Sequence, residues 1–128
     1  MDELRYPIGK FAPVQDPTPE QRNRWIEELV RTGEILRLTV ANLTEEQLRS
    51  PYRPGGWTIR QVVHHMADNG MNAFIRFKRA LTEDHPAASS YREDVWAELS
   101  DYQLPLEPSL RLLEAVHIRF AAWRKSLR

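Results

Sequence analysis

The stretch GGWTIRQVVHHMADNGMNAFIRFKRALTED, residues 55–84, carries the pattern on which the fold turns. Gly55-Gly56 follows Pro51 and Pro54 and punctuates the chain. Thr58-Ile59-Arg60-Gln61 then has the form of a capping box, in which the Thr hydroxyl and the Gln amide satisfy backbone N–H groups at a helix start. Val62, Met66, Ala73 and Phe77 recur at helical spacing, and Val63, Phe74 and Leu81 widen the stripe. The pattern predicts a helix over 59–82 with that stripe turned to a core. His64 and His65 point about 100° apart on such a helix. The wheel puts His64 on the far side from the stripe and His65 on its flank. Asn69, Asn72 and Arg76 follow His65 on the same flank, with Asp68 one step beyond. A polar row beside an apolar face either meets solvent or lines a polar cleft inside a bundle. On residue type alone, a hydrogen-bonded boundary histidine is the ordinary reading of such a row.

The same signals recur on either side. Thr18-Pro19-Glu20-Gln21 starts a helix over about 19–42. Its apolar residues are Trp25, Leu29, Leu36 and Val40, with Ile26 and Val30 beside them. Residues 1–17 contain Pro7, Pro13 and Pro17 and read as an extended arm whose Tyr6, Ile8, Phe11 and Val14 rest on the body. Thr44-Glu45-Glu46-Gln47 opens a short helical turn that Ser50-Pro51 stops. After position 82 comes an unusually long connection, with one short helix expected over 91–100. Glu107-Pro108-Ser109 begins a third long helix, along which Leu113, Val116, Phe120, Trp123 and Leu127 form a narrow stripe. The expected class is all-α, one domain over residues 1–128.

The chain has 128 residues, with 18 basic and 18 acidic side chains and no Cys. A balanced charge disfavours a dedicated nucleic-acid binder or a polybasic membrane-surface protein. The absence of Cys excludes disulfides, thiolate nucleophiles and Cys-ligated zinc. The acidic N-terminus is not a signal peptide, and no window approaches the roughly 18 apolar residues of a membrane span, so a cytoplasmic protein is expected. Charge is segregated along the chain. Residues 51–82 hold five basic groups and one acid, residues 83–107 one basic group and seven acids, and residues 108–128 five basic groups and one acid. Such a pattern reads first as an acidic crossover lying over basic helices. Its functional alternative is a basic mouth for an acidic small molecule.

No Gly-rich phosphate loop, GxSxG elbow or HExxH pair is present. Chemistry therefore rests on four histidines, His64, His65, His85 and His117. His85 reads as a surface residue and His117 as a satisfied boundary residue. Tyr6-Pro7-Ile8-Gly9, Pro51-Tyr52-Arg53 and above all residues 55–84 resemble the DinB-like superfamily. The nearest branch is the YfiT-type metal-dependent hydrolases, which includes bacillithiol transferases. The resemblance implies a four-helix bundle with a long crossover between helices 2 and 3, of which this sequence supplies three long helices. It implies a divalent metal, zinc or nickel, held by three histidines. One of these matches His65, which the helical wheel also singles out. The other two belong to an HxxxH pair on a fourth helix, and no HxxxH occurs in this sequence. The site is thus expected to be incomplete in the chain as it stands, its C-terminal helix missing, since catalytic sites use about three protein ligands. Asp68 and Asn72 are candidates to orient His65 or the substrate. The implied activity is metal-assisted hydrolysis or thiol S-transfer on a small-molecule substrate, with any thiol brought by a cofactor. The alternative is a degenerate, non-catalytic helical domain that forms a homodimer through the groove a fourth helix would fill.

Overall fold

The structure is a computed structural model that describes residues 18–87 and 90–123. The expected arm over 1–17 and Leu127 lie outside the described residues. Five α-helices occur in the order α1 (Pro19–Val40), α2 (Glu45–Leu48), α3 (Ile59–Thr82), α4 (Glu93–Trp96) and α5 (Glu107–Ala121), with a 3₁₀ turn over Ser100–Gln103. The described residues form no strand, so the chain is all-α as expected; an isolated bridge joins Pro51 and Thr58.

All three capping boxes form. The Thr18, Thr44 and Thr58 hydroxyls accept from the backbone N–H of Gln21, Gln47 and Gln61, and each Gln side chain accepts from its Thr N–H in return. Each box satisfies two otherwise orphaned donors. The loop before α3 closes on itself, the Tyr52 N–H donating to the Trp57 carbonyl (3.0 Å) and the Ile59 N–H to the Ser50 carbonyl (3.1 Å). Gly55 sits in this turn at φ 73°, a conformation that costs other residues steric strain.

The helix α5 packs against both α1 and α3, and the 3₁₀ turn packs against α3. Val40, Leu48, Val63, Leu106 and Leu110 form one buried cluster, with Leu36, Leu43 and Ile59 against it. Phe74, Phe77, Phe120 and Trp123 form an aromatic group near the other end, Phe74 lying edge-on to Phe120 and stacked on Trp123. Small residues set the close approaches. A Cβ on Gly70 would meet Leu113 Cδ1 at 3.0 Å, and one on Gly33 would meet Glu114 Cγ at 3.0 Å.

Four sequence expectations are corrected. The buried face of α3 is Val63, His64, Ala67 and Phe74, so the burial centres on Val63 and Phe74 at one side of the expected stripe, one residue on from Val62 and Met66, which are half-buried, and Ala73, which is exposed. One residue is about 100° of rotation, so His64 is buried rather than on the far side. The physical reason is that Ala67 and Gly70 are small and let α5 approach that line of the helix closely. On α5 the buried residues are Leu110, Leu113, His117 and Phe120, while Val116 is only half-buried. The expected helix over 91–100 is split into α4 and the 3₁₀ turn; neither carries a side-chain N-cap. On α1, Gly33 and Val40 are buried but Trp25 is 42% exposed. Trp25, Ile26, Leu29, Phe77, Phe120 and the Arg22 stem line an apolar groove of about 300 Å³ between the helices.

Candidate functional site

The four histidines have four different environments. His64 is 4% exposed, and both its ring nitrogens are engaged. Its Nδ1 lies 2.6 Å from Ser109 Oγ and its Nε2 2.9 Å from the Leu104 carbonyl. A carbonyl only accepts, so Nε2 carries the proton and Ser109 donates to Nδ1. The ring ties α3 to the start of α5 and has no nitrogen left for a ligand. His117 is 3% exposed and its Nδ1 has no hydrogen-bond partner. It is therefore a core residue rather than the satisfied boundary residue expected. Burial lowers its pKa, because the charged ring is poorly solvated there. His85 sits on an exposed turn at φ 47°, its Nε2 3.5 Å from Asp84 Oδ1.

His65 alone combines partial burial with a ring edge open to a polar surface. Its side chain is 21% exposed. Trp57, delivered by the closed loop before α3, meets the ring edge-on at 4.8 Å between centroids. The crossover supplies the remaining partners. Tyr91 Oη lies 3.3 Å from His65 Nδ1, and Glu93 Oε2 lies 3.8 Å from His65 Nε2. Tyr91 is itself held by Trp96, with ring centroids 4.4 Å apart. Burial, with the negative charges of Glu93 and Asp68, raises the Tyr91 pKa.

Asp68 is one turn along α3, and its Oδ2 accepts from the buried Tyr102 hydroxyl at 2.5 Å. Burial and that bond push the Tyr102 hydroxyl far above its ordinary pKa, so it remains a donor. The Asn72 amide donates back to the Asp68 carbonyl at 2.8 Å. Neither Asp68 nor Asn72 forms a hydrogen bond to His65; Asp68 anchors the 3₁₀ turn, and through it the crossover, to α3. Asn69 and Arg76 continue the polar row on the exposed surface. Arg76 lines a separate cleft of about 370 Å³ with Ala73, Phe77 and Pro86.

Trp57, Tyr91 and Glu93 around His65, and Tyr102 on Asp68, are not legible in the helical pattern. Tyr91 stands 26 residues from His65 and Tyr102 34 from Asp68, beyond any helical spacing rule. Only the acid-rich composition of the crossover hinted that it faces the helices. Glu93 is the one crossover acid that comes within ion-pair distance of a histidine on α3 among the described residues.

The donor set decides how far a metal fits. His65 and Glu93 offer a nitrogen and a carboxylate oxygen 3.8 Å apart. Among the described residues no group of three or more His, Cys, Asp or Glu could hold a metal ion. The described residues thus provide part of a coordination sphere and do not complete one. No described helix is long and apolar enough to cross a membrane.

Comparison with known proteins adds a consistent set of relatives. A profile of the DinB superfamily matches residues 28–128. A Geobacillus thermodenitrificans protein named "putative metal-dependent hydrolase" is 48% identical over 128 residues, covering 99% of this chain and 72% of the relative. A Bacillus cereus (strain AH820) protein of the same description is 48% identical over 120 residues, covering 94% of this chain and 69% of the relative. The solved structure of YfiT from Bacillus subtilis, described as a probable metal-dependent hydrolase with an unusual four-helix bundle topology, superposes with a TM-score of 0.93 at 44% identity. That match covers 98% of this chain and 73% of YfiT.

Proposed function

The chain belongs to the DinB superfamily, and on that premise we propose that it serves a metal-dependent hydrolase activity in which His65 is the metal ligand this stretch contributes. The observation that carries the reading is the partition of the histidines. His64 has both nitrogens spent, His117 is sealed in the core and His85 lies on an exposed turn. His65 is left with a semi-exposed ring whose Nε2 faces a carboxylate rather than a packed core.

A divalent ion in such a place supplies Lewis acidity, which makes a nearby water or thiol a stronger acid. The residues of this chain do the positioning. Trp57 and Tyr91 hold the His65 ring, and the Tyr102–Asp68 bond keeps the crossover that carries Tyr91 and Glu93 against α3. Glu93 adds negative charge where a cation would sit. The finer reading is zinc or nickel as the ion and a small molecule as substrate, with water or a low-molecular-weight thiol as the activated group. Since the chain has no Cys, a thiol would come from a cofactor.

Calorimetric titration of the purified, chelator-treated protein with Zn²⁺ and Ni²⁺ tests this reading. The expected result is saturable binding of one ion, weakened about tenfold or more in His65→Ala, since each lost ligand removes a large part of the affinity. Equal binding by both proteins, or none by either, would sink the proposal.

A further inference from the structure

The cleft beside Arg76 has two cations and no acid in its described walls. Its volume of about 370 Å³ lies at the lower end of the range for small-molecule sites, about 300–1,000 Å³. Ala73 and Ala80 stand two turns apart on α3, about 10 Å along its axis, and their short side chains leave room there. Phe77 lies between them, 37% exposed, its ring stacked on Trp123 at 5.3 Å. Pro86, from the start of the crossover, also lines the cleft. The two arginines differ. Arg79 is spent on Glu83, its Nε and Nη2 donating to the two carboxylate oxygens at 3.1 and 3.2 Å. Arg76 is exposed and forms no hydrogen bond or ion pair among the described residues. The acids that follow on the chain do not neutralise it, since Glu83 holds Arg79 and Asp84 lies 3.5 Å from His85 Nε2.

We propose that this cleft binds a small organic anion, an aromatic or short-chain carboxylate up to about 10 Å long, with Arg76 taking the carboxylate. A guanidinium holds a carboxylate through two charge-assisted hydrogen bonds, stronger than those between neutral groups. Ala73, Phe77 and Ala80 supply apolar surface for the body of the ligand, and covering the exposed Phe77 ring adds burial. A neutral ligand would leave Arg76 unused, and an inorganic anion would leave the apolar floor uncovered. The bias of residues 51–82, five basic groups to one acid, adds longer-range attraction for the same charge. Binding here uses no metal ion, and His65 lies about 16 Å back along α3, outside the cleft.

Titration of the full chain with 2-naphthoate in the presence of a chelator, followed in ¹H–¹⁵N correlation spectra, tests the proposal. The expected result is saturable shifts concentrated at residues 73–80 and at Ala87. Arg76→Gln should weaken binding about five- to tenfold, the weight of charge-assisted bonds to an exposed cation. Its thermal midpoint should stay unchanged, because Arg76 is exposed. 2-Naphthalenemethanol, the same body without the charge, should bind the wild type more weakly and be indifferent to Arg76→Gln. Ala80→Leu, at an exposed position, should fill the cleft and abolish the shifts. Absence of saturable shifts, shifts that settle instead in the groove of Trp25 and Leu29, or equal affinity of the wild type and Arg76→Gln would overturn the proposal. None of these outcomes bears on metal binding by His65, which calorimetry reads separately.

Discussion

His64 and His65 illustrate how one bond of chain separates two kinds of histidine. The His64 ring is enclosed, with Ser109 on one nitrogen and the Leu104 carbonyl on the other. Removing it empties a buried space and takes a partner from the half-buried Ser109 hydroxyl and from the Leu104 carbonyl. His64→Ala should therefore cost about 2–4 kcal/mol, from the Ser109 hydroxyl left without its acceptor and a cavity in the core, while the Leu104 carbonyl keeps Arg60 as a donor. His65 is partly exposed and its partners can turn to water, so His65→Ala should cost about 1 kcal/mol or less. Urea denaturation of the two variants checks the order, and a larger loss for His65 would contradict the assignment of roles. The sequence placed His65 on the flank of the stripe, and the structure keeps it on a partly exposed edge. It missed the burial of His64, because Val62 and Val63 both begin plausible apolar lines and the wheel cannot choose between them. Tyr91 and Glu93 were illegible for a different reason. They reach His65 through the return path of a crossover, and no local pattern encodes that path.

At the scale of elements, α3 carries the site and its start is defined by Thr58. The Thr58 hydroxyl accepts from the Gln61 N–H at 3.1 Å, and the Thr58 N–H donates to Gln61 Oε1 at 3.0 Å. Thr58→Ala should lower stability by about 1 kcal/mol, and Thr58→Asp should recover most of it, because Asp is an equally good N-cap. Thermal or urea unfolding decides this, and equal loss in both variants would show that the cap is unimportant. The boundaries of α1 and α3 were readable to within two residues because capping boxes are local chemistry. The crossover was harder. Its α4 and 3₁₀ turn lack side-chain caps, and they are held from outside. Gln61 donates to the Ala97 carbonyl, Arg60 to the carbonyls of Gln103 and Leu104, and Tyr102 to Asp68. Arg60 also pairs with Glu45, so one guanidinium joins α2, α3 and the crossover. Acidic residues over basic helices describe this segment only loosely, since most of these bonds go to backbone carbonyls.

At the scale of the whole molecule, the response to pH reflects His117, an enclosed ring whose Nδ1 has no hydrogen-bond partner. His117 is neutral in the core because burial lowers its pKa, whereas in the unfolded chain it titrates near 6.5. The unfolded state thus binds the extra proton first as pH falls. Stability should drop as pH falls below about 6.5 toward the folded value, by at most ~1.4 kcal/mol per unit from this group. Urea midpoints at pH 7.5 and pH 5.5 should differ less in His117→Leu than in the wild type; an identical pH slope would exclude His117 as the source. At this scale the division of information is clear. The helical class, the three capped starts, the long crossover and the family are legible along the chain, because caps and apolar periodicity act over a few residues and the motif of residues 55–84 is contiguous. Which line of α3 is buried, that His64 is structural, and that Tyr91 and Glu93 bracket His65 emerge only from the packing of the helices. Those outcomes depend on how closely α5 settles at Gly70 and on where the crossover returns, and both are set by packing between segments far apart in the chain.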